Sequence, residues 1–263
     1  MGRAAGSVTH VLAQAVGAYR ERAPLASVRQ HFACTWFHEF PRFRDTPEAI
    51  VPDGCIDLQW IDGALRVAGP DREPVIETIP AGATVVGLRF QPGAATTWLR
   101  VPASELVNRR VPLEAFWGAE ARGLADWASE GRSPEDVALR LEAALSRRGA
   151  SVRPADAASS AVYRLLSANL HPNGRVVDRL ADQLGLSPRT LRRRCHEAFG
   201  YGPKTLDRIL RFQRFLRLAR AADPAGTASL AAKAGYADQA HLTRETQRLA
   251  GLTPIDIRGQ LSS

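Results

Sequence analysis

Residues 175–203 read RVVDRLADQLGLSPRTLRRRCHEAFGYGP, and residues 227–258 read TASLAAKAGYADQAHLTRETQRLAGLTPIDIR. Each stretch predicts a helix rich in small and apolar residues, a tight turn containing Gly185 or Gly235, and a second helix with outward polar and basic groups. Two helices joined in this way form a helix-turn-helix unit, which presents its second helix to the major groove of DNA. The chain therefore predicts two such units in tandem.

The second helix of the first unit has a clear start. Ser187 directly precedes Pro188, which is the pattern of an N-cap followed by proline at the first helical position. Counting from this start places Leu191 and Cys195 on the inner face. The outward side chains that we take as candidate DNA contacts are Arg189, Thr190, Arg192 and Arg193. An ordinary bundle with a solvated arginine-rich helix is the alternative.

In the second unit, Asp238 predicts the cap of a helix that carries Gln239, His241 and Arg244 outward, and these three are candidates for base edges or phosphates. Between the units, residues 205–221 predict one long helix with an arginine at every third position from 208 to 220. A period of three drifts around a helix of 3.6 residues per turn. These arginines therefore face different directions, and some must pack on the first domain, pair with acids or lie in solvent.

Charge is concentrated in this region. Residues 175–220 hold 12 Lys and Arg against 4 Asp and Glu, which equals the net charge of +8 of the whole chain. Such clustering is typical of a surface that contacts phosphates. The three cysteines have no paired spacing, and the N-terminus lacks a signal-like segment. These features, with no apolar run long enough for a membrane span, predict a soluble protein of the reducing cytoplasm without disulfides.

The first hundred residues have a different pattern. Residues 8–19 predict a short helix, and from residue 27 to about 100 short segments rich in β-branched and aromatic residues alternate with Pro and Gly. We expect strands within 28–40, 48–61, 64–69, 74–80 and 83–90, with turns at 52–54 and 61–63. Helical signals return at Ser104, at 113–117 and at 134–147.

These patterns predict an α+β chain of two domains. The first, residues 1–145, is a β-rich, barrel-like or cupin-like domain with flanking helices. Residues 146–160 are small and polar and predict a linker. Residues 161–263 form an all-α domain with the two helix-turn-helix units joined by the long helix.

Residues 175–258 resemble the DNA-binding domain of the AraC/XylS family of bacterial transcription regulators. The resemblance implies two units held so that both recognition helices enter successive major grooves on one face of double-stranded DNA. It also implies DNA contact by Arg189, Arg192 and Arg193 and by Gln239, His241 and Arg244. The sequence departs from the family at Cys195 and Thr246, where a buried Phe is usual, which predicts a thinner core between helices.

The segments VPDGCIDLQW and VVGLRFQPGAATTWLRVPASELVNRRVPLEAFWG, from residues 51–60 and 85–118, are similar to an uncharacterised β-rich domain that occurs ahead of this DNA-binding module. In the family, such domains usually sense a small molecule or mediate dimerisation. The resemblance therefore implies a small-molecule effector, a second copy of the chain and RNA polymerase as candidate partners, and no cofactor.

Aromatic residues in the predicted strands suggest where an effector would bind. The candidate ligand-binding residues are Trp36, Phe40, Cys55, Trp60, Phe90 and Trp98. A barrel lined by aromatics with a few polar groups is a reasonable ligand site, although these residues equally suit a plain core. One predicted strand contains His31, Cys34 and His38, which are potential metal ligands. In a regular strand His31 and Cys34 point to opposite faces and could converge only at a bulge, so we expect no metal site.

Three hypotheses from different classes follow. The favoured one is a sequence-specific transcription regulator, not an enzyme, whose first domain binds an effector. The second is an enzyme or repair domain with Cys55 as an acceptor thiol, fused to a DNA-binding module. The third is an architectural DNA binder without sequence preference, whose affinity would fall with salt at all sites alike.

Overall fold

The computed structural model describes residues 10–42, 46–168, 176–221 and 226–261. Within these ranges the chain is β-rich in its first part and helical in its second, which confirms the predicted α+β class. The nine strands form two separate sheets. Their bounds are β1 Val11–Leu12, β2 Ala18–Arg22, β3 Phe32–Glu39, β4 Thr46–Ile50, β5 Asp57–Ile61, β6 Ala64–Ala68, β7 Val75–Ile79, β8 Thr84–Phe90 and β9 Arg110–Pro112.

The six-stranded sheet has the order β2-β3-β8-β5-β6-β9, and all of its pairs are antiparallel. The three-stranded sheet has the order β1-β4-β7, with β1 parallel to β4. The predicted turn between β5 and β6 contains Asp62 and Gly63, both with positive φ, as a two-residue hairpin requires. Every strand predicted from the sequence is present.

The helices are α1 Ala95–Leu99, α2 Glu114–Trp117, α3 Ala119–Ser129, α4 Pro134–Gly149, α5 Ala157–Ser167, α6 Val176–Leu184, α7 Pro188–Phe199, α8 Pro203–Arg220, α9 Thr227–Ala234, α10 Gln239–Ala250 and α11 Pro254–Leu261. Short 3-10 turns cover Ala13–Ala15 and Ala103–Glu105. The segment between α4 and α5 that is not helical spans residues 150–156. None of the helices in the described ranges combines the length and apolarity that a membrane crossing needs.

One prediction about helices was wrong, and two helices were not predicted. The expected helix over residues 8–19 is replaced by β1, a 3-10 turn and the start of β2, because Gly17 turns the chain with a φ of +68° and β2 then pairs with β3. Residues 8 and 9 lie outside the described ranges. Helices α1 and α3 were not predicted, and α1 lies where the strand-rich pattern was expected to continue. Helix α4 begins as expected at the Ser133 cap, whose side chain accepts a hydrogen bond from the Asp136 amide.

The faces of the six-stranded sheet differ in character. Phe37, Leu58, Val86 and Leu88 are fully buried on the face that packs with α1 to α4 in one hydrophobic core. Their strand neighbours Trp36, Asp57, Gln59, Val85 and Arg89 point to the opposite face, since successive side chains of a strand alternate. This second face looks toward the small sheet and the helical part of the chain.

The small sheet belongs to the core of the helical part. Leu12, Ala49 and Val51 are buried in the same hydrophobic cluster as the side chains of α5 to α11. The Leu12 amide donates to Gln260 Oε1 of α11 at 2.8 Å, and His10 Nε2 bonds the carbonyl of Ala250 at the end of α10 at 2.9 Å. Strand β1 is thereby fastened to the second helix-turn-helix unit.

The first helix-turn-helix unit also packs against the β-rich part. Gly200 ends α7 with a φ of +82°, and a Cβ there would lie 2.7 Å from the Val107 side chain and 3.0 Å from the carbonyl of Ala103. On α8, Gln213 Nε2 donates to the carbonyl of Pro52 at 2.8 Å. The two parts of the chain therefore contact each other through α7 and α8.

Candidate functional site

Each predicted helix-turn-helix unit is present with the expected caps. Helices α6 and α7 are joined by a turn in which Gly185 has a φ of +62°, and Ser187 Oγ accepts a hydrogen bond from the Thr190 amide at 3.1 Å. Helices α9 and α10 are joined by a turn in which Gly235 has a φ of +90°, and Asp238 Oδ1 accepts from the His241 amide at 2.6 Å. These caps fix where each second helix begins.

The side chains predicted to contact DNA lie on the outer surface of α7 and α10. Exposed are Arg189, Arg192, Arg193, Gln239 and Arg244, while Thr190 and His241 are half-buried. His241 packs edge-on against the Tyr236 ring at 5.2 Å between centroids, and Thr190 Oγ1 lies 2.9 Å from Ser187 Oγ. Those two side chains therefore also support the turn that precedes each helix.

Under this surface, the two family departures are packed inside. Cys195 is 1% exposed and Thr246 is fully buried, with its hydroxyl donating to the carbonyl of Thr243. Burial raises the pKa of Cys195 to about 12, so it is a packed thiol.

The arginines of α8 diverge as the spacing of three predicted. Arg208 pairs with Glu245 of α10 at 2.7 Å, and Arg211 pairs with Asp207. Arg214 donates to the carbonyls of Ala234 and Ser167, while Arg220 donates to Gln14 at 2.9 Å. These side chains connect α8 to its neighbours in several directions and do not form a single stripe toward DNA.

A cavity of about 450 Å³ lies between the two sheets and α8. Its walls come from β2, β3, β5, β6 and β8 of the large sheet, from β4 and β7 of the small sheet, and from α5 and α8. Helix α8 contributes Leu210, Gln213, Leu216, Arg217 and Arg220. The volume is within the range of small-molecule sites.

Arg89 is the centre of an ion-pair network in this cavity. Its guanidinium contacts Asp53 at 3.0 Å, Asp57 at 3.2 Å and Glu21 at 3.5 Å. Asp57 also accepts a hydrogen bond from the indole of Trp36 at 3.1 Å. Burial raises the pKa of Asp57, an effect that Arg89 opposes.

A second network holds the other end of the same wall. Glu77 of β7 pairs with Arg66 at 2.7 Å and with Arg110 at 2.6 Å, and Arg110 also pairs with Asp71 at 2.9 Å. Because Arg66 is on β6 and Arg110 on β9, these pairs join the two sheets.

The six residues proposed from sequence to bind a ligand separate into two groups. Trp36, Phe40 and Cys55 line the cavity. Phe90 and Trp98 lie in the hydrophobic core on the other face of the sheet, and Trp60 packs against that core. Strand alternation explains the positions of Trp60 and Phe90, because Asp57 and Gln59 face the cavity and direct Trp60 away from it, as Arg89 does for Phe90. Trp98 is not on a strand but on the buried side of helix α1.

The position of Trp36 depends on a glycine in the neighbouring strand. Gly87 is paired with Trp36, and a Cβ on Gly87 would lie 2.0 Å from the indole ring. The ring therefore crosses the backbone of β8 at a point that only glycine allows. An isolated glycine within a strand pattern was a sequence signal for such a close approach.

Neither cysteine chemistry nor a metal site is supported by the cavity. Cys55 is half-buried, with its Sγ 3.7 Å from the carbonyl of Asp53, and burial raises its pKa well above the ordinary value. Such a group stays a thiol at neutral pH and is a poor nucleophile. Strand β3 is irregular between Phe32 and Cys34, yet the described residues contain no group of three potential metal ligands.

Comparison with known families assigns both parts of the chain. Residues 180–260 match a helix-turn-helix domain family. This part of the chain is an AraC-type helix-turn-helix domain. Residues 20–112, ahead of the AraC-type domain, match a domain of unknown function, DUF6597. Both resemblances noted in the sequence are confirmed.

Solved structures of ToxT from Vibrio cholerae are similar in fold. An apo ToxT variant superposes with a TM-score of 0.51 at 11% identity, covering 92% of this chain and 100% of that chain. An unsaturated-fatty-acid-bound wild-type ToxT gives a TM-score of 0.45 at 12% identity, covering 86% and 94%. At these identities the first similarity shows a shared fold. No curated protein matches the sequence.

Most of the charged cavity lining was missed in the sequence. Glu48, Asp57, Glu77 and Arg89 are charged residues of strands that line the cavity, and none of them was among the ligand-binding residues predicted from the sequence. Helix α8 of the AraC-type domain lies over the side of the strands that carries these residues. The sequence predicted this helix but not its position relative to the strands. The alternation of side chains along each strand, combined with a helix packed on one face, was the signal that could have identified these residues as cavity lining.

Proposed function

We propose that the protein is a sequence-specific DNA-binding transcription regulator that a small-molecule effector controls from the cavity between the sheets and α8. One observation carries the proposal: the helix that joins the two helix-turn-helix units is also a wall of the cavity. An occupant of the cavity would touch α8 directly.

The exposed faces of α7 and α10 support contact with DNA. Arg189 and Arg192 lie on the outer side of α7, at its N-terminal end, where a guanidinium can reach guanine O6 and N7 in the major groove. Arg193 lies 3.7 Å from Glu197, a solvent-exposed pair that is weak and compatible with phosphate contact. Gln239 and Arg244 are exposed on the outer side of α10 in the second unit.

The position of α8 gives a physical route for control. Along α8, Leu210 and Leu216 face the cavity while Arg208 holds α10 through Glu245 and Arg214 holds α9 through the carbonyl of Ala234. An effector that binds one placement of α8 more tightly than another would shift the relative placement of the two recognition helices. The coupling is limited by that difference in affinity.

DNA selection from a random library with the full-length protein tests the DNA-binding part. We expect enrichment of two short sequence blocks about one helical turn apart, since each unit reads one major groove. Two units in one chain can occupy such a site without a second copy, so a monomer–DNA complex is compatible with the proposal. Dimerisation and contact with RNA polymerase are separate questions for the same purified protein.

Arginine variants then distinguish base reading from charge attraction. Arg192→Ala should relax the preference at one or two base pairs, by about 1–3 kcal/mol per contact, whereas Arg132→Ala, an exposed arginine before α4, should leave the selected sequence unchanged. Affinity that ignores sequence in the wild type and falls with salt would instead indicate an architectural DNA binder.

A further inference from the structure

Among the residues that the structure describes, Glu48 is the buried carboxylate of the cavity that has no hydrogen-bond or ion-pair partner. It lies on β4, opposite Val11 of β1 and Glu77 of β7. The residue is 1% exposed, and neither carboxylate oxygen has a hydrogen-bond partner among the residues that the structure describes. Burying an unpaired carboxylate is costly, so its persistence at a cavity wall points to a ligand group that it receives.

The other acids of the cavity already have cationic partners. Asp53 and Asp57 pair with Arg89, and Glu77 pairs with Arg66 and Arg110. The remaining arginines of the lining, Arg217 and Arg220, are exposed residues at the end of α8. Glu48 is therefore the acid of the cavity lining that no arginine in the described chain contacts within ion-pair distance.

Aromatic rings complete the environment. The ring centroids of Trp36 and Tyr19 lie 5.9 Å apart, and those of His38 and Phe40 lie 4.0 Å apart. All four residues line the cavity. Tryptophan and tyrosine faces attract cations, and the effect is larger where water is excluded. Aliphatic side chains of β4, β7, β8 and α8 supply the rest of an apolar wall.

We propose that the effector is a cation, an amine, amidine or guanidine nitrogen on an apolar body, and that Glu48 binds its N–H groups. This assignment rests on the proposed function for its regulatory meaning, since it names the ligand class of the same cavity. An anionic ligand would meet the Glu48 carboxylate as a like charge, whereas an ammonium or amidinium supplies the missing donors.

Glu48 is also placed to pass a binding event to DNA. Its backbone pairs with Val11 of β1, and the next residue of that strand, Leu12, donates to Gln260 of α11. Gln260 in turn donates to the carbonyl of His10, whose side chain bonds the end of α10. A ligand at Glu48 therefore bears on the second helix-turn-helix unit through β1.

Three probes with one skeleton and different head groups test the ligand class: 4-phenylbutylamine, 4-phenylbutanol and 4-phenylbutyrate. Calorimetric titration of the full-length protein without DNA should give the amine an affinity at least about tenfold above the alcohol and the acid. Glu48→Gln should remove about that factor for the amine and leave the alcohol unchanged. Glu105→Gln, which removes an exposed carboxylate of the 3-10 turn, should change nothing.

Proton release provides a second measurement. Burial raises the pKa of Glu48 to about 7. Near pH 6, binding of the amine should therefore release about one proton in the wild type and none in Glu48→Gln, as read from titrations in buffers of different ionisation enthalpy.

Amine binding no tighter than alcohol binding, including no binding by any probe, would overturn the inference. Preferential binding of the acid with no effect of Glu48→Gln would do the same and would point to Arg217 and Arg220. DNA selection is measured separately, so a regulator that fails the amine test loses only this inference. Amine selectivity without sequence-specific DNA binding would sink the proposed function and keep the cation site.

Discussion

Glu48→Gln should change how the stability of the protein depends on pH. Gln keeps the shape of the side chain and removes its charge. Burial raises the pKa of Glu48 from its ordinary 4.5 to about 7, so the folded protein holds this proton at pH values where the unfolded chain has lost it. Stability contributed by the neutral form is therefore present at low pH and is lost as the pH rises through the folded-state value.

The size of the effect follows from the shift. Each pKa unit corresponds to about 1.4 kcal/mol, so full ionisation of Glu48 costs the folded state about 3 kcal/mol. Between about pH 5 and pH 8, the wild type should lose about 2.5 kcal/mol of unfolding free energy that the Gln variant keeps. The two proteins should be closest in stability at the acidic end.

Urea unfolding followed by circular dichroism, at three pH values from about 5 to 8, measures this difference. Subtracting the unfolding free energy of the variant from that of the wild type cancels the contribution of ionisable groups common to both proteins. Glu105→Gln serves as the control and should track the wild type. Parallel wild-type and Glu48→Gln curves across the pH range would refute the reasoning, because they would mean that Glu48 is not a high-pKa group.

Three further predictions concern stability. Gly200→Ala should destabilise by about 1–3 kcal/mol more than Gly185→Ala in thermal unfolding, since both have positive φ but only Gly200 would place a Cβ against Val107. Ser187→Ala should cost about 1 kcal/mol by removing the cap of α7, and equal melting temperatures would contradict the cap. Arg89→Leu should cost about 3–5 kcal/mol by leaving buried Asp57 unpaired, and adding Asp57→Asn should recover part of that loss.

The sequence predicted those parts of the fold that local signals determine. Ser187-Pro188 and Asp238 mark helix starts by their own side-chain chemistry, and β5 and β6 meet at Asp62-Gly63, so these elements were placed correctly. The prediction of a helix over residues 8–19 failed because this segment forms β1, which pairs with β4 and bonds to Gln260, 248 residues from Leu12. A local pattern does not contain a partner that distant.

Only some of the cavity-lining residues were predicted from the sequence. Trp36 and Phe40 were selected because they are aromatic, and they line the cavity. Trp60 and Phe90 were selected for the same reason but belong to the core side, because the sequence did not show which face of each strand points to the cavity. Glu48 was missed because a lone charged residue in a short strand suggests an exposed edge. In the folded chain β4 is instead the central strand of the small sheet, between β1 and β7, and Glu48 lines the cavity that α8 helps to enclose.

Leu12, Ala49 and Val51 share one hydrophobic core with the helices of the DNA-binding part. This shared core restricts where such a protein can be truncated or joined to another. A fragment that starts after α4 would leave the apolar partners of these three side chains facing water. Loss of activity in it would therefore report damage to the core as readily as loss of regulation. A chimaera that exchanges the β-rich part for another should retain β1 and β4, because these two strands pack in the core of the helical part although they precede it in the sequence.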